Sequence, residues 1–335
     1  MTYRAGVTQR EARAPVLVAG AGALGSVFGG LLARAGWPIV LLGRAEHLDA
    51  VRASGLRIEG LFGEHVVRGI EIATDAAALR RSFATVLVTV KSYDTSATVR
   101  AIAPHLAADG HLVCLQNGLG NLEQAAEVVG PRRVLGARVI FGAELLAPGR
   151  VRVTVNAAPV LVGSPDPADA ARAAAGAEWA DAFAAAGIPS EPTANLAGEL
   201  WAKVFYNAAL NPLGALLGVP YGHLAQDADT RALMNAAIDE AFAVARASGV
   251  ALGWPDAAAY RDVFYGALVP PTAAHRSSML QDLERGRPTE IEAINGYVAR
   301  RGGEVGIAVP VNTTLTHLIR ARVRRSRLGE GPWSH

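Results

Sequence analysis

Lys203, Asn207 and Asn211 recur every four residues in a stretch otherwise built of leucine, alanine and aromatic residues, Glu199-Leu-Trp-Ala-Lys203-Val-Phe-Tyr-Asn207-Ala-Ala-Leu-Asn211-Pro212-Leu. On a helix this spacing puts all three on one face. Burying an ammonium and two amides without partners would cost several kcal/mol. The stripe therefore either lines a cavity that holds a polar ligand or faces water. In the first case the three groups meet the polar atoms of that ligand. In the second, Glu199 and Lys203 form an i, i+4 ion pair and Asn211 ends the helix before Pro212. A second cluster reads Ser277-Ser-Met-Leu-Gln-Asp-Leu-Glu-Arg-Gly-Arg-Pro-Thr289-Glu290-Ile-Glu-Ala-Ile-Asn295. Local roles account for it: Ser278 as a helix N-cap, Thr289 and Glu292 as a T-x-x-E capping box, and Glu290 as an anion in a first helical turn.

Gly20-Ala-Gly22-Ala-Leu-Gly25 has the G-x-G-x-x-G pattern, follows an apolar run and opens a helical segment. In a βαβ unit such a turn cradles the pyrophosphate of a dinucleotide. Gly20 permits the tight turn, Gly22 lets phosphate approach the backbone, and Gly25 lets helix pack on strand. Gly20, Gly22, Ala23, Leu24 and Gly25 form the expected cradle, with the helix N-terminus facing the phosphates. NAD enzymes place an acidic residue about 20 residues further on, at the end of the second strand. Gly43-Arg44 stands there instead. A guanidinium suits a 2′-phosphate, which predicts NADP(H). The competing reading makes Arg44 a solvated residue and Glu46 the acidic group. Val90-Lys91-Ser92 and Gln116-Asn117-Gly118 each end a strand, where the ligand crevice of an open α/β sheet lies. Lys91 is expected near the ribose or nicotinamide, and Asn117 near the hydride.

The elements that must hold these residues follow from the patterning. Pro15–Gly20, Ile39–Gly43, Thr85–Val90 and Leu112–Gln116 read as buried strands. Ala23–Ala35, Ser96–Ala107 and Leu122–Val129 read as the intervening helices. This βαβ rhythm predicts a mostly parallel sheet with helices on both faces. Leu56–Gly60 with His65–Ile72 suggests a hairpin-like excursion. Val134–Leu146, Val151–Val155 and Val160–Val162 suggest antiparallel strands, with a turn at Pro148-Gly149. Ala168–Ala186 reads as a helix. From about Asn195 only helical spacing remains, punctuated by Gly and Pro. The expected architecture is an α/β Rossmann-like domain over 14–190 followed by an all-helical domain over 194–325. Residues 1–13 and 326–335 are expected to be flexible.

The chain has 335 residues, 32 basic and 30 acidic, with 51% hydrophobic and 19% charged residues. That near-neutral balance speaks against nucleic acid as a partner. A single cysteine, Cys114, supports no disulfide framework or thiolate metal site and fits a reducing, cytoplasmic setting. The eight histidines show no ligand spacing, so no metal site is expected. Ala14–Ala33 and Phe205–Gln226 are uncharged and long enough to span a bilayer, but their glycines, asparagines and prolines read as buried elements of a domain outside the membrane. Residues 1–14 carry no apolar core, so no secretory signal is expected. The basic segment from Arg320 reads as a solvated end.

These pieces occur in an order that resembles the ketopantoate reductase (2-dehydropantoate 2-reductase) family: GAGALG, Arg44 after the second strand, VKSYD, QNGLG, K-x3-N-x3-N-P-L, and SSMLQD-x6-TEIEAINGY. The resemblance runs from Pro15 to Arg320. It implies a Rossmann domain and a helical domain with the active site in the cleft between them. It also implies NADPH-dependent reduction of ketopantoate to pantoate on the way to pantothenate and coenzyme A. Carried over by position, Lys203 is the catalytic lysine, and Asn207 and Asn211 contact substrate. Ser278 holds the substrate carboxylate, and Glu290 contacts substrate and supports the site. Asn117 and Lys91 lie near the nicotinamide, and Arg44 meets the 2′-phosphate. Two segments depart from the family pattern, Val219-Pro220-Tyr221-Gly222 and Phe141-Gly142-Ala143-Glu144. Both bear on which oxo acid is reduced.

Reduction of a ketone needs a hydride at carbon and a proton at oxygen. Lys203 is suited to the second task, with its pKa lowered by burial and Glu290 or Glu199 opposing that shift. Three functions compete: ketopantoate reduction, reduction of another small 2-oxo acid or ketone, and a dinucleotide sensor without catalysis. Tyr221 and Phe141–Glu144 discriminate the first two. Lys203, Asn207, Ser278 and Glu290 together speak against the third. A homodimer through the helical domain is the expected assembly.

Overall fold

The computed structural model describes residues 13–327. The ends expected to be flexible therefore lie almost wholly outside the described residues. Arg13 is described, and it donates to the Ala35 carbonyl at 2.8 Å.

The chain opens with β1 (Val16–Ala19), α1 (Ala23–Arg34), β2 (Ile39–Leu42) and α2 (Ala45–Ser54). Then come β3 (Leu56–Gly60), β4 (His65–Val67), β5 (Glu71–Ala73), β6 (Phe83–Val88), α3 (Thr95–Ile102), β7 (Leu106–Cys114) and α4 (Asn121–Val129). The sheet domain closes with β8 (Val134–Arg138), β9 (Phe141–Ala147), β10 (Arg150–Asn156), β11 (Val160–Gly163), α5 (Ala170–Ala185) and β12 (Ser190–Pro192). The helical part holds α6 (Leu196–Leu217), α7 (Tyr221–Gln226), α8 (Ala228–Ala247), α9 (Ala257–Val263), α10 (Ser278–Glu284), α11 (Asn295–Val305) and α12 (Pro310–Arg327). No strand follows β12 among the described residues.

The main sheet has eight strands in the order β12-β11-β8-β7-β6-β1-β2-β5, parallel from β8 to β5. β1, β2 and the last three residues of β6 and of β7 (Val86–Val88, Leu112–Cys114) are apolar on both faces because both faces are covered. One face packs Val18, Val27, Phe28 and Leu41 with Phe183 of α5. The other packs Leu17, Val86 and Val88 with Val99 and Ala125 of α3 and α4.

The block expected to be antiparallel divides differently. Val134–Leu146 is two strands rather than one. β8 joins the main sheet parallel to β7, while β9 crosses to a second, four-stranded sheet ordered β4-β3-β10-β9. In that sheet β10 pairs parallel with β3 and antiparallel with β9. Alternation along a strand reports which face is buried and is silent on the partner, which arrives here from nearly a hundred residues away. The helix after β7's predecessor strand is also shorter than expected, ending at Ile102.

α6 corrects a second expectation. Asn211 does not end the helix; α6 continues through Pro212 to Leu217. Proline offers no N–H to the carbonyl four residues back, Ala208. Asn295 Nδ2 donates to that carbonyl at 3.0 Å, and Asn211's own carbonyl accepts from Ser277 Oγ at 3.3 Å. Partners from beyond residue 270 thus repair the break and keep Lys203, Asn207 and Asn211 on one continuous rod.

Candidate active site

The strand order reverses between β1 and β6, and the crevice outside their carboxyl ends is where an α/β sheet takes a ligand. The glycine turn sits there. Gly20 has φ +112°, and a Cβ on it would lie 2.5 Å from the Val90 nitrogen. Thr89 Oγ1 donates to the Gly20 carbonyl at 2.8 Å and locks the turn against β6. A Cβ on Gly25 would collide with the Gly20 carbonyl, whereas one on Gly22 would meet open space. No side chain caps the start of α1. An open glycine face at an uncapped helix start fits a dinucleotide pyrophosphate. Arg44 lies two residues past β2, immediately before α2, and is exposed, and its neighbour Gly43 packs on Ala21 of the turn. Glu46 is also exposed, in the first turn of α2.

Two strand ends along, the loop after β7 carries Asn117. Its carbonyl accepts from Asn121 Nδ2 at 2.9 Å, and Leu119 N donates to the Ala293 carbonyl at 2.8 Å. That second bond joins the sheet domain to the helical domain beside the crevice. Lys203 reaches across the same junction, donating to Asn117 Oδ1 and to the Val139 carbonyl. Burial pulls the Lys203 ammonium down to about 8; Glu290 opposes this and Arg138 adds to it. Asn207 and Asn211 are buried, so the stripe does not face water. Glu199 does not pair with Lys203; it accepts from Arg138 at 2.6 Å.

Asn117, Asn211, Ser278 and Glu290 line one small cavity, completed by Met279, Asp282 and Ile294. Four residues singled out by sequence thus meet in space. Lys203 lies beside the cavity, its ammonium turned onto Asn117. Asn207 is buried one helical turn away and is not among the lining residues. Asn211 Oδ1 accepts from the Tyr221 hydroxyl at 2.6 Å, which leaves its Nδ2 for the cavity. Ser277, not Ser278, caps α10, accepting from Leu280 N at 3.0 Å. The Ser278 hydroxyl is thereby free. The Thr289–Glu292 capping box does not form: Glu292 pairs with Arg320, and Thr289 Oγ1 is buried without a partner. Glu290 precedes only a short 3-10 turn and accepts from Ser92 N at 3.0 Å.

Lys91 follows β6 at the same crevice. Its ammonium bonds Asp282 at 2.7 Å and Glu290 at 3.4 Å, so it faces the helical domain. Burial would lower its pKa, but Glu290 and Asp282 outweigh that and hold it above the ordinary lysine value. Asp282 and Arg138 were not singled out from sequence. Asp282 lies four residues after Ser278, on the same helix face, and that spacing was a usable signal. Arg138 is a lone charge closing an apolar strand. Among the described residues no acidic, histidine or cysteine cluster could hold a metal, and no helix is long and apolar enough to cross a membrane.

The family model described as ketopantoate reductase PanE/ApbA matches residues 16–166, and its C-terminal counterpart matches residues 195–323. A 2-dehydropantoate 2-reductase of Aquifex aeolicus is 36% identical over 306 residues, covering 91% of this chain and 96% of that protein. The crystal structure of a PanE/ApbA family ketopantoate reductase from Ralstonia eutropha superposes with a TM-score of 0.83 at 35% identity, covering 93% of this chain and 99% of that one. The ternary structure of D-mandelate dehydrogenase with NADH and anilino(oxo)acetate superposes with a TM-score of 0.85 at 25% identity, over 93% of this chain and 99% of that one. The glycine turn at the sheet's switch point, the lysine at the domain junction and these matches over both halves lead to one assignment: the chain belongs to the ketopantoate reductase family of oxidoreductases.

Proposed function

We propose that the protein reduces ketopantoate to pantoate with NADPH, the step that feeds pantothenate and coenzyme A synthesis. The observation that carries this reading is the Lys203–Asn117 contact beside a cavity lined by Asn211, Ser278 and Glu290. When bound, NADPH supplies the hydride that adds to the keto carbon. Gly20, Gly22, Ala23, Leu24 and Gly25 hold its pyrophosphate, and Arg44 takes the 2′-phosphate. Lys203, as the ammonium, turns from Asn117 to the keto oxygen, stabilises the charge that develops there and gives up its proton. Water then reprotonates the amine. Ser278 Oγ donates to the substrate carboxylate and Asn211 Nδ2 to a substrate oxygen. Asn207 keeps the lysine face polar. Asn117 marks where the nicotinamide meets the substrate. Glu290 holds Lys91 and Ser92 N and so fixes the wall of the pocket. Lys91 borders the cofactor through that wall.

A second reading, reduction of another small 2-oxo acid, is favoured by Tyr221. Its ring is buried and its hydroxyl occupies Asn211, and a structural neighbour binds the larger anilino(oxo)acetate. That neighbour also carries NADH, which supports testing the cofactor directly. Buried, unpaired Cys114 goes with a reducing, cytoplasmic setting, and exposed Leu217 and Leu233 on the helical domain go with a homodimer. Nucleic acid and membrane have no part in the proposal. The test is NADPH and NADH oxidation by purified protein with ketopantoate beside a panel of 2-oxo acids. Rapid turnover of ketopantoate with NADPH supports the first reading, and Arg44→Ser should then raise the Kd for NADPH at least tenfold with little change for NADH. Turnover confined to a bulkier oxo acid would transfer the assignment to the second.

A further inference from the structure

The Arg138–Glu199 pair stands at the base of Lys203. Glu199 is one helical turn before Lys203 on α6, and Arg138 is the residue before Val139, whose carbonyl Lys203 bonds. Arg138 is largely buried, donates to Glu199 at 2.6 Å and reaches the Pro159 carbonyl at 3.4 Å, and its Nε has no partner among the described residues. We infer that Arg138 is a positioning residue for Lys203, fixing the carbonyl that receives the ammonium and placing a second positive charge beside it, with Glu199 as the counter-charge that moderates it.

This inference rests on the reading of Lys203 as the proton donor. The geometry has an electrostatic consequence. The charged groups around Lys203 are Glu290 from the segment before α11, Arg138 from β8 and Glu199 on its own helix. Lys91 and Asp282 stand behind Glu290, and Glu191 on β12 acts on Arg138. Burial makes the largest contribution to lowering the lysine pKa, and Arg138 adds to it. A cation next to a cation disfavours the charged form. A donor with a pKa near the working pH is the more effective acid.

Two readouts test this. One is the pH dependence of kcat at saturating NADPH and ketopantoate. The other is the pH dependence of Lys203 acetylation by acetic anhydride, followed by mass spectrometry, which needs no turnover. Arg138→Met should move the basic limb and the labelling midpoint up by roughly half a unit to one unit. Glu199→Gln should move both down by a similar amount, and it carries the test if Arg138→Met does not fold. Lower kcat with unmoved labelling curves in both variants would overturn the inference and leave Arg138 a structural residue. Full activity of Lys203→Ala would instead remove the lysine from the chemistry, while the labelling curves would still decide whether Arg138 governs it.

Discussion

Lys203 shows how far residue types and spacing carry. An ammonium and two amides on one face of an apolar helix point to a cavity or to solvent, and burial decides for the interior. The partner does not follow from spacing. Glu199, at the ideal i, i+4 distance, is taken by Arg138 from 61 residues away, and Lys203 is left to Asn117 and a backbone carbonyl. The functional consequence is direct. Lys203→Ala should lower kcat by about a hundredfold to ten-thousandfold, the range for loss of a general acid, while NADPH binding measured by fluorescence titration stays unchanged. On the proposed reading the ammonium is the active form; burial brings its pKa to about 8, so wild-type kcat should fall as pH rises through that value. A profile flat up to pH 10 would contradict the assignment.

At the scale of elements, the glycine turn separates fold from function within six residues. Gly25 packs against the turn itself, so Gly25→Ala should destabilise the domain by about 1–3 kcal/mol, the usual cost of overpacking, and lower Tm in a circular-dichroism melt. Gly22 faces open space, which the proposed reading fills with the cofactor's pyrophosphate, so Gly22→Ala should leave Tm unchanged and raise the Kd for NADPH at least tenfold. Equal loss of Tm in both variants would remove the distinction. Helix α6 teaches a different lesson. Pro212 reads locally as a stop, yet the helix continues because Asn295 satisfies the carbonyl that proline leaves without a donor. Proline costs a helix less when another donor meets the carbonyl that it orphans. The same reasoning explains Ser277 and Ser278. Either serine can cap α10, and use of the first releases the second to the cavity.

For the whole molecule, three histidines, the buried His47 and the half-buried His111 and His275, tie together elements distant in sequence. His47 bonds Ser26 of α1 at 2.9 Å and accepts from Gly149 N, in the turn between β9 and β10, at 3.0 Å. His111 of β7 accepts from Trp179 Nε1 of α5 at 2.9 Å, and His275 packs on Tyr221 of α7 with ring centres 5.3 Å apart and the rings tilted by 60°. Burial lowers all three pKa values below 6.5. The unfolded chain therefore takes up these protons before the folded one does. Their stabilising effect is complete above about pH 6.5 and is lost as pH falls below it. Tm should drop between roughly pH 7 and pH 5, and His47→Gln should make that drop shallower. An unchanged slope would show that His47 is not among the groups responsible. The α/β then all-helical order, the glycine turn and the polar stripe are all legible in the chain, because each depends on neighbours within a few residues and on the periods 2 and 3.6. The split of Val134–Leu146 between two sheets, the Lys91–Asp282–Glu290 cluster and the pairing of Arg138 with Glu199 are not. Each is a contact between segments far apart in sequence, chosen by which charges and backbone groups the folded layers leave without water, and only the tertiary structure decides that competition.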